Sequence, residues 1–570
     1  MSLHPHCYCR QRGILQIFYY LCIRIAVQPL IYKYILTNMK TLKRLSVLLL
    51  MSVAGVVANY AANEKLLLHT RVAQGDIAGV REGSYVAYKG IPYAQPPVGA
   101  LRWKSPVPAK AWKGTFKAVK YRDMPYQRTD PNGPKGAQAA SEDCLYLNVF
   151  TPARKATDNL PVMVWIHGGG FETGSALGCT PQSYIEAGLV FVSIEYRTGA
   201  LGFLALPELS RESPLGVSGN YGLQDQILAL KWVHDNISAF GGDPAKVTIF
   251  GESAGAIAVS MLCAAPEAKG LFRGAISQSG GSFCPVDSVR FNNDGIRDLK
   301  GAEQHGVAFM KRMGAGSLDE LRKMSPDKFI NDKATQGVGG FWPCVDGLTI
   351  VDDQYKLYAK GEFNDVPVII GTNSDEGTMF CRPITAAKYK ADMHRIYGKF
   401  ADRVMQLYPV TDDESTFYAL SDQFRETAFA WPSFAWAHLQ QEKGKSPVFV
   451  YYFDQMQKFN WAGPNLKIRG AGHATDLDYV FYPFFGAKAM DKDNLALSDI
   501  MKHYWVNFVK TGNPNGEGLP EWPVYHQDRT TVMHFKDNKC DLIAVPNREQ
   551  LEFWEDYYRW KRNEWDAIRH

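Results

Sequence analysis

Ser253 sits in Phe250-Gly251-Glu252-Ser253-Ala254-Gly255, between the apolar run Val247–Phe250 and the helix-like stretch Ala256–Leu262. A serine on a tight strand-to-helix turn has its hydroxyl pushed out of the fold, and flanking glycines let neighbouring backbone come close. A hydroxyl is a weak nucleophile, so chemistry there requires a base and a third group to hold that base. A second segment, Val162–Ile166 followed by His167-Gly168-Gly169-Gly170-Phe171, ends a strand on three consecutive glycines. Such a run sacrifices backbone order but lets main-chain N–H groups converge on one point. A developing oxyanion needs that arrangement, and losing one such donor costs about 2.7–4 kcal/mol in a protease. A third segment, Val366–Ile370 leading to Ser374-Asp375-Glu376-Gly377, places two carboxylates just past a strand end. A solvated acidic turn is their ordinary use, but either could orient a histidine and stabilise its imidazolium.

The base must be a histidine, and seven follow Glu376, at positions 394, 438, 473, 503, 526, 534 and 570. His473 lies in Gly470-Ala471-Gly472-His473-Ala474, a loop after the apolar run Val448–Phe453. The others stand in helix-like or strand-like surroundings or at the terminus, which favours His473 without excluding them.

The elements that would hold these residues are legible in the hydrophobic pattern. Val162–Ile166, Leu189–Ile194, Val247–Phe250, Ala275–Ser277, Val366–Ile370 and Val448–Phe453 are continuous apolar runs of strand length. Continuous runs fit strands covered on both faces. Leu223, Ile227, Leu230, Val233 and Ile237 keep a helical spacing that stops before Gly241-Gly242. Alternation of the two predicts an α/β fold on a mainly parallel, twisted sheet flanked by helices. Residues 72–120, rich in Gly and Pro, predict antiparallel strands at its start, and residues 285–345 and 380–440 predict helical insertions capping its C-terminal edge. Open α/β sheets put ligands at the carboxyl ends of their strands, where all three segments fall.

The first 58 residues differ from the rest. Met39-Lys-Thr-Leu-Lys-Arg44 is basic, Leu45–Val57 is apolar, and Val56-Val57-Ala58 has the small residues of a cleavage site. Residues 39–58 therefore read as a signal peptide, too short to span a membrane, and imply a secreted or periplasmic protein. Residues 1–38 read as an upstream extension. Arg24 and Lys33 interrupt its apolar stretch, which argues against a membrane helix there. Removing these 58 residues takes away seven basic groups and no acids, so the formal charge drops from +5 to −2. The basicity belongs to the leader, and no nucleic-acid footprint remains. Residues 59–570 are expected to form one domain. Seven scattered cysteines, 144, 179, 263, 284, 344, 381 and 540, show no disulfide framework and no metal-binding spacing. Buried apolar packing is their expected use.

Several longer pieces, in order over about residues 70–560, resemble the type-B carboxylesterases, the cholinesterase-like branch of the α/β-hydrolases. They are Phe240-Gly-Gly-Asp-Pro244 leading into Val247–Gly255, Ser141-Glu-Asp-Cys-Leu-Tyr-Leu-Asn-Val149, Gly90-Ile-Pro-Tyr-Ala94 with Pro97–Trp103, and Asn220-Tyr-Gly-Leu223. The resemblance implies Ser253 as nucleophile, Glu376 rather than Asp375 as acid, and His473 as base. It also implies an oxyanion hole from the N–H groups of Gly169, Gly170 and Ala254, a small-molecule ester as substrate, and no cofactor or metal. Two departures bear on this. Met124-Pro125 stands where relatives often carry Cys-Pro, which leaves Cys144 without its usual partner. The loop 126–141 holds no tryptophan, so choline esters are poor candidates. Two other readings are an esterase for feruloyl or acetyl groups of polysaccharides, with Phe341 and Trp342 either in the acyl pocket or in the core, and a non-catalytic binding module. The presence of all three triad candidates and the glycine loop argues against the binding module.

Overall fold

The computed structural model describes residues 66–128, 139–178, 181–286, 295–332, 340–456, 467–482, 490–528 and 531–569. The leader readings for 1–38 and 39–58, and Cys179, lie outside the described residues.

Eleven strands form the main sheet. In chain order they are β1 (Val80–Glu82), β2 (Tyr85–Pro92), β3 (Tyr146–Thr151), β4 (Leu160–Ile166), β5 (Val190–Ile194), β6 (Gly242–Glu252), β7 (Gly274–Gln278), β8 (Val368–Asn373), β9 (Val448–Phe453), β10 (Thr531–Lys536) and β11 (Lys539–Ala544). Their spatial order is β11-β10-β9-β8-β7-β6-β4-β5-β3-β2-β1. From β5 to β10 every pairing is parallel. The two edges are antiparallel, at β1–β2–β3–β5 on one side and β10–β11 on the other. The N-terminal antiparallel strands follow the expectation. The closing hairpin β10–β11 had no expectation, and every β11 residue is exposed or half-buried.

The continuous apolar runs divide between two cores, one on each face of the sheet. In β4, Val162, Val164 and Ile166 enter the larger core, while Met163 and Trp165 enter the other. Helix α1 (Tyr221–Asn236) covers the first face with Leu223, Ile227, Leu230 and Val233. It ends one residue short of Ile237, which begins a short turn closed by Gly241 at φ 79°. The second face is covered by Leu497, Met501, Tyr504, Trp505 and Phe508 from the late helix Lys492–Thr511. Alternating side chains of a strand point to opposite faces, so a run buried throughout requires both coverings.

The chain makes one jump that matters for function. After β4 it places β5 outward, then crosses back over β4 to lay down β6 on the other side. The C-terminal ends of β4 and β6 are therefore neighbours, with Gly251 opposite Ile166 in the ladder. Helix α2 (Ala254–Ala264) follows β6 and packs on β6 and β7, whereas the insertions hold helices α3 (Leu299–Arg312), α4 (Ala386–Tyr397), α5 (Ser415–Arg425) and α6 (Trp431–Lys443), with a π-turn at Glu426–Ala430 between the last two. The described cysteines are all free, with 144, 263, 284 and 344 buried and 381 and 540 half-buried. Among the described residues no helix is long and apolar enough to cross a membrane.

Candidate active site

Ser253 joins β6 to α2 with φ 55° and ψ −125°, a conformation an L-residue holds only when its surroundings impose it. The two glycines around it explain how. A Cβ on Gly251 would lie 2.4 Å from the backbone of Gly255, and a Cβ on Gly255 would lie 2.1 Å from the Ile166 carbonyl oxygen. The elbow thus folds back on itself and against the end of β4, where no side chain fits.

The histidine comes from the loop after β9 and the acid from the end of β8. Ser253 Oγ lies 2.9 Å from His473 Nε2, and His473 Nδ1 lies 2.6 Å from Glu376 Oε2. Glu376 is fully buried, and its second oxygen accepts from Ser279 Oγ at 2.5 Å and from the Asn373 N–H at 2.7 Å. Its neighbour Asp375 turns away, accepting from Thr378 Oγ1 at 2.6 Å and from the Arg469 N–H at 3.1 Å. Of the six candidate histidines among the described residues only His473 meets the serine, and His570 lies outside them. His394, His438, His503 and His534 lie in helices or strands as expected, whereas His526 stands in a loop, bonded to Asp528.

Sequence reasoning missed a buried polar layer beneath these three residues. Asp476 accepts from Gln278 Nε2 at 2.6 Å, Tyr451 OH at 2.7 Å and Asn373 Nδ2 at 3.2 Å. Trp505 Nε1 in turn donates to Gln278 at 3.1 Å, and Asn373 Nδ2 also reaches the Gly472 carbonyl at 2.9 Å. These bonds tie the ends of β7, β8 and β9 together and fix the histidine loop. They join residues up to 227 positions apart, so no local pattern announces them.

Glu252 was also missed. It is 5% exposed, and its Oε1 faces His473 Nε2 at 3.3 Å. Burial pushes its carboxyl up to about 8. For His473, burial acts to lower the pKa, but the carboxylates of Glu252 and Glu376 outweigh it and carry the imidazole up to about 9. Two phenylalanines enclose the same ring, Phe429 stacked at 4.7 Å and Phe380 edge-on at 5.0 Å.

Gly169 and Gly170 both have positive φ, 104° and 65°. A Cβ on Gly169 would meet the Thr173 carbonyl oxygen at 2.4 Å, so the turn that brings this loop over Ser253 is closed to other residues. Gly169, Gly170 and Ala254 line one cavity together with Ser253 and His473. Its volume is about 770 Å³, and its far walls come from the insertions: Ile296, Trp342, Phe380, Phe424 and Phe429. The aromatic pair divides: Trp342 faces the cavity, while Phe341 packs on Phe309 and His305 in the core. A half-buried, cavity-lining serine on an imidazole, an imidazole on a buried carboxylate and a glycine loop beside them together suit acyl transfer.

The chain matches the profile of the Carboxylesterase family over residues 66–554. It belongs to that family. Its activity is the hydrolysis of carboxylic esters, and its fold is the α/β-hydrolase fold. It is 35% identical to a fumonisin B1 esterase of Sphingopyxis macrogoltabida over 84% of this chain and 88% of that protein. It is 34% identical to a para-nitrobenzyl esterase of Bacillus subtilis over 84% and 96% of the two chains. Human cocaine esterase is 33% identical over 85% and 90%. A solved PNB esterase superposes with a TM-score of 0.73 at 31% identity, covering 86% of this chain and 99% of the other.

Proposed function

We propose that this carboxylesterase works through an acyl-enzyme on Ser253, with His473 as base, Glu376 as acid and the N–H groups of Gly169, Gly170 and Ala254 as oxyanion donors. Ser253 attacks the ester carbonyl while His473 Nε2 takes its proton, and the tetrahedral oxyanion is held by the backbone donors. His473 then delivers the proton to the departing alcohol. Water, activated by the same imidazole, releases the acid. Glu376 keeps Nδ1 protonated, so that Nε2 presents its lone pair to the serine.

The observation that carries the proposal is the pair of contacts at 2.9 Å and 2.6 Å that link three residues from the ends of three different strands. Replacing Ser253 with Ala is expected to lower turnover of an aryl ester by roughly six orders of magnitude. Near wild-type hydrolysis by that variant would remove Ser253 from the mechanism.

For the substrate, the cavity supplies aromatic and aliphatic walls, and its charged groups other than His473 are the carboxyls of Glu172 and Glu252, among the described residues. Such a lining favours esters whose acyl and alcohol parts are apolar and carry no negative charge. Hydrolysis rates across a panel of acetyl, longer acyl, feruloyl and carboxylate-bearing esters test this, with the last expected to be slowest. The protein is proposed to act outside the cytoplasm as a single domain, residues 59–570, after loss of residues 39–58. Amino-terminal sequencing of the exported product checks the cleavage point.

A further inference from the structure

Directly behind the glycine loop lies a buried pair of titratable groups that the proposed mechanism leaves idle. His167 and Glu195 are each 3% exposed, and His167 Nε2 faces Glu195 Oε2 at 3.5 Å. Neither of these two atoms has a hydrogen-bond partner among the described residues, and at this distance and orientation they are not bonded to each other either. The other side of each group is committed. His167 Nδ1 lies 2.9 Å from the carbonyl oxygen of Gly168, and Glu195 Oε1 accepts from Ser175 Oγ at 2.7 Å.

A carbonyl oxygen can only accept, so Nδ1 carries the hydrogen. The neutral ring then has a bare lone pair at Nε2, aimed at a carboxyl oxygen in a site closed to water. Two buried acceptors face each other, and one proton between them satisfies both. Burial pushes Glu195 up to about 8 and His167 down to about 4, which puts that proton on the carboxyl. The ring is held in this orientation by stacking on Tyr196 at 4.2 Å. The loop closes tightly over the bond, since a Cβ on Gly174 would lie 2.2 Å from the Gly168 oxygen.

The Gly168 carbonyl belongs to the same peptide group as the N–H of Gly169, a residue that lines the cavity beside Ser253. A hydrogen bond to that oxygen draws electron density from the amide and makes its N–H a stronger donor. We propose that Glu195 and His167 form a buried relay, carboxyl O–H to Nε2 and Nδ1–H to the Gly168 carbonyl, that polarises and orients the Gly168–Gly169 peptide as an oxyanion donor. His167 and Glu195 are positioning residues, since neither touches substrate. The role rests on the proposed assignment of Ser253 and the glycine loop. It adds that the strength of the oxyanion hole is set from behind, by a side-chain pair.

A merely structural pair would affect folding and ground-state binding alike, whereas this relay acts on the tetrahedral state. The probes are an aryl ester, a trifluoromethyl ketone that forms a tetrahedral adduct on the serine, and the matching methyl ketone that does not. Glu195→Leu, which cannot give a proton to Nε2, is expected to lower kcat and trifluoromethyl ketone affinity together by about tenfold, leaving KM and methyl ketone affinity unchanged. Glu195→Gln, whose amide N–H can still face Nε2, is expected to recover most of both.

A second pair of variants reads the same relay even if Glu195→Leu fails to fold. The amide nitrogen of His167→Asn overlies Nδ1 and can keep the bond to Gly168, while that of His167→Gln overlies Nε2 and cannot. Asn is expected to exceed Gln in kcat by about tenfold. Equal kcat for these two, or a loss in Glu195→Leu that spares the trifluoromethyl ketone, overturns the relay. Ser253→Ala, assayed in parallel, separates the levels. Activity surviving in that variant sinks the nucleophile assignment, whereas a dead Ser253→Ala beside a wild-type Glu195→Leu sinks the relay alone.

Discussion

Replacing Glu252 with Gln should move the acidic limb of the pH–rate profile downward. The base must be neutral to accept the serine proton, and kcat/KM reports the free-enzyme pKa of that group. In the wild-type protein the limb is expected above the ordinary imidazole value of 6.5, because the carboxylates of Glu252 and Glu376 outweigh burial at His473. Glu252 Oε1 is 3.3 Å from the reacting nitrogen. Two unit charges at about 4 Å interact by about 4 kcal/mol at an effective dielectric constant near 20, and about 1.36 kcal/mol corresponds to one pH unit. A fully ionised Glu252 would thus raise His473 by about three units. Burial holds Glu252 itself up to about 8, so below that pH it carries only part of its charge. The expected displacement is therefore smaller, about one to two pH units toward acid. The glutamine keeps the shape of the side chain and leaves Glu376, Ser253 and the oxyanion donors in place. Stopped assays of an aryl ester from about pH 5 to pH 10 would resolve the change. A limb that stays put, or moves toward alkaline pH, refutes the electrostatic coupling between Glu252 and His473.

The same substitution should alter stability. Glu252 has a folded pKa of about 8 against 4.5 unfolded, so its contribution is complete below pH 4.5 and is lost as pH rises through 8. His473, at about 9 against 6.5, contributes fully below pH 6.5 and loses that contribution through 9. Thermal unfolding of Glu252→Gln should accordingly fall less between pH 5 and pH 9 than that of the wild type, and parallel curves would contradict it. Glu376→Gln should lower kcat by about four orders of magnitude, as removing the acid's charge does in other triads. Its amide cannot suit both sides here, since Ser279 and Asn373 donate to one oxygen and His473 to the other. Retained kcat would count against Glu376 as the acid. Gly255→Ala drives a Cβ to 2.1 Å from the Ile166 oxygen and should destabilise the fold by about 3 kcal/mol or more, visible as a lower Tm. An unchanged Tm would show that the elbow has slack.

Much of the framework was legible because local composition encodes it. Strands buried on both faces leave continuous apolar runs, and Val448–Phe453 appears with the bounds the pattern gives. The elbow and the glycine loop after β4 were legible for a different reason: their backbones approach so closely that only glycine fits, and several glycines around a serine are visible in one line of text. From the residues alone the carboxylate was legible as a pair, Asp375 or Glu376, and the imidazole as a loop histidine favoured over six others; only the family resemblance singled out Glu376 and His473. A carboxylate or an imidazole carries no sign of where it points.

The amino-acid order on its own settled the central strands, the helix over Leu223–Val233 and the turns that require glycine, since these follow from periodicity and steric exclusion within short segments. Tertiary structure alone decided which way the carboxylates face, which histidine meets Ser253, and that Trp342 opens onto the cavity while Phe341 does not. It alone placed Glu252 against His473, and Glu195 behind the loop that follows β4. Hydrogen bonds and charge pairs act over about 3 Å between residues that may be 220 positions apart, and only the closed fold brings them into range.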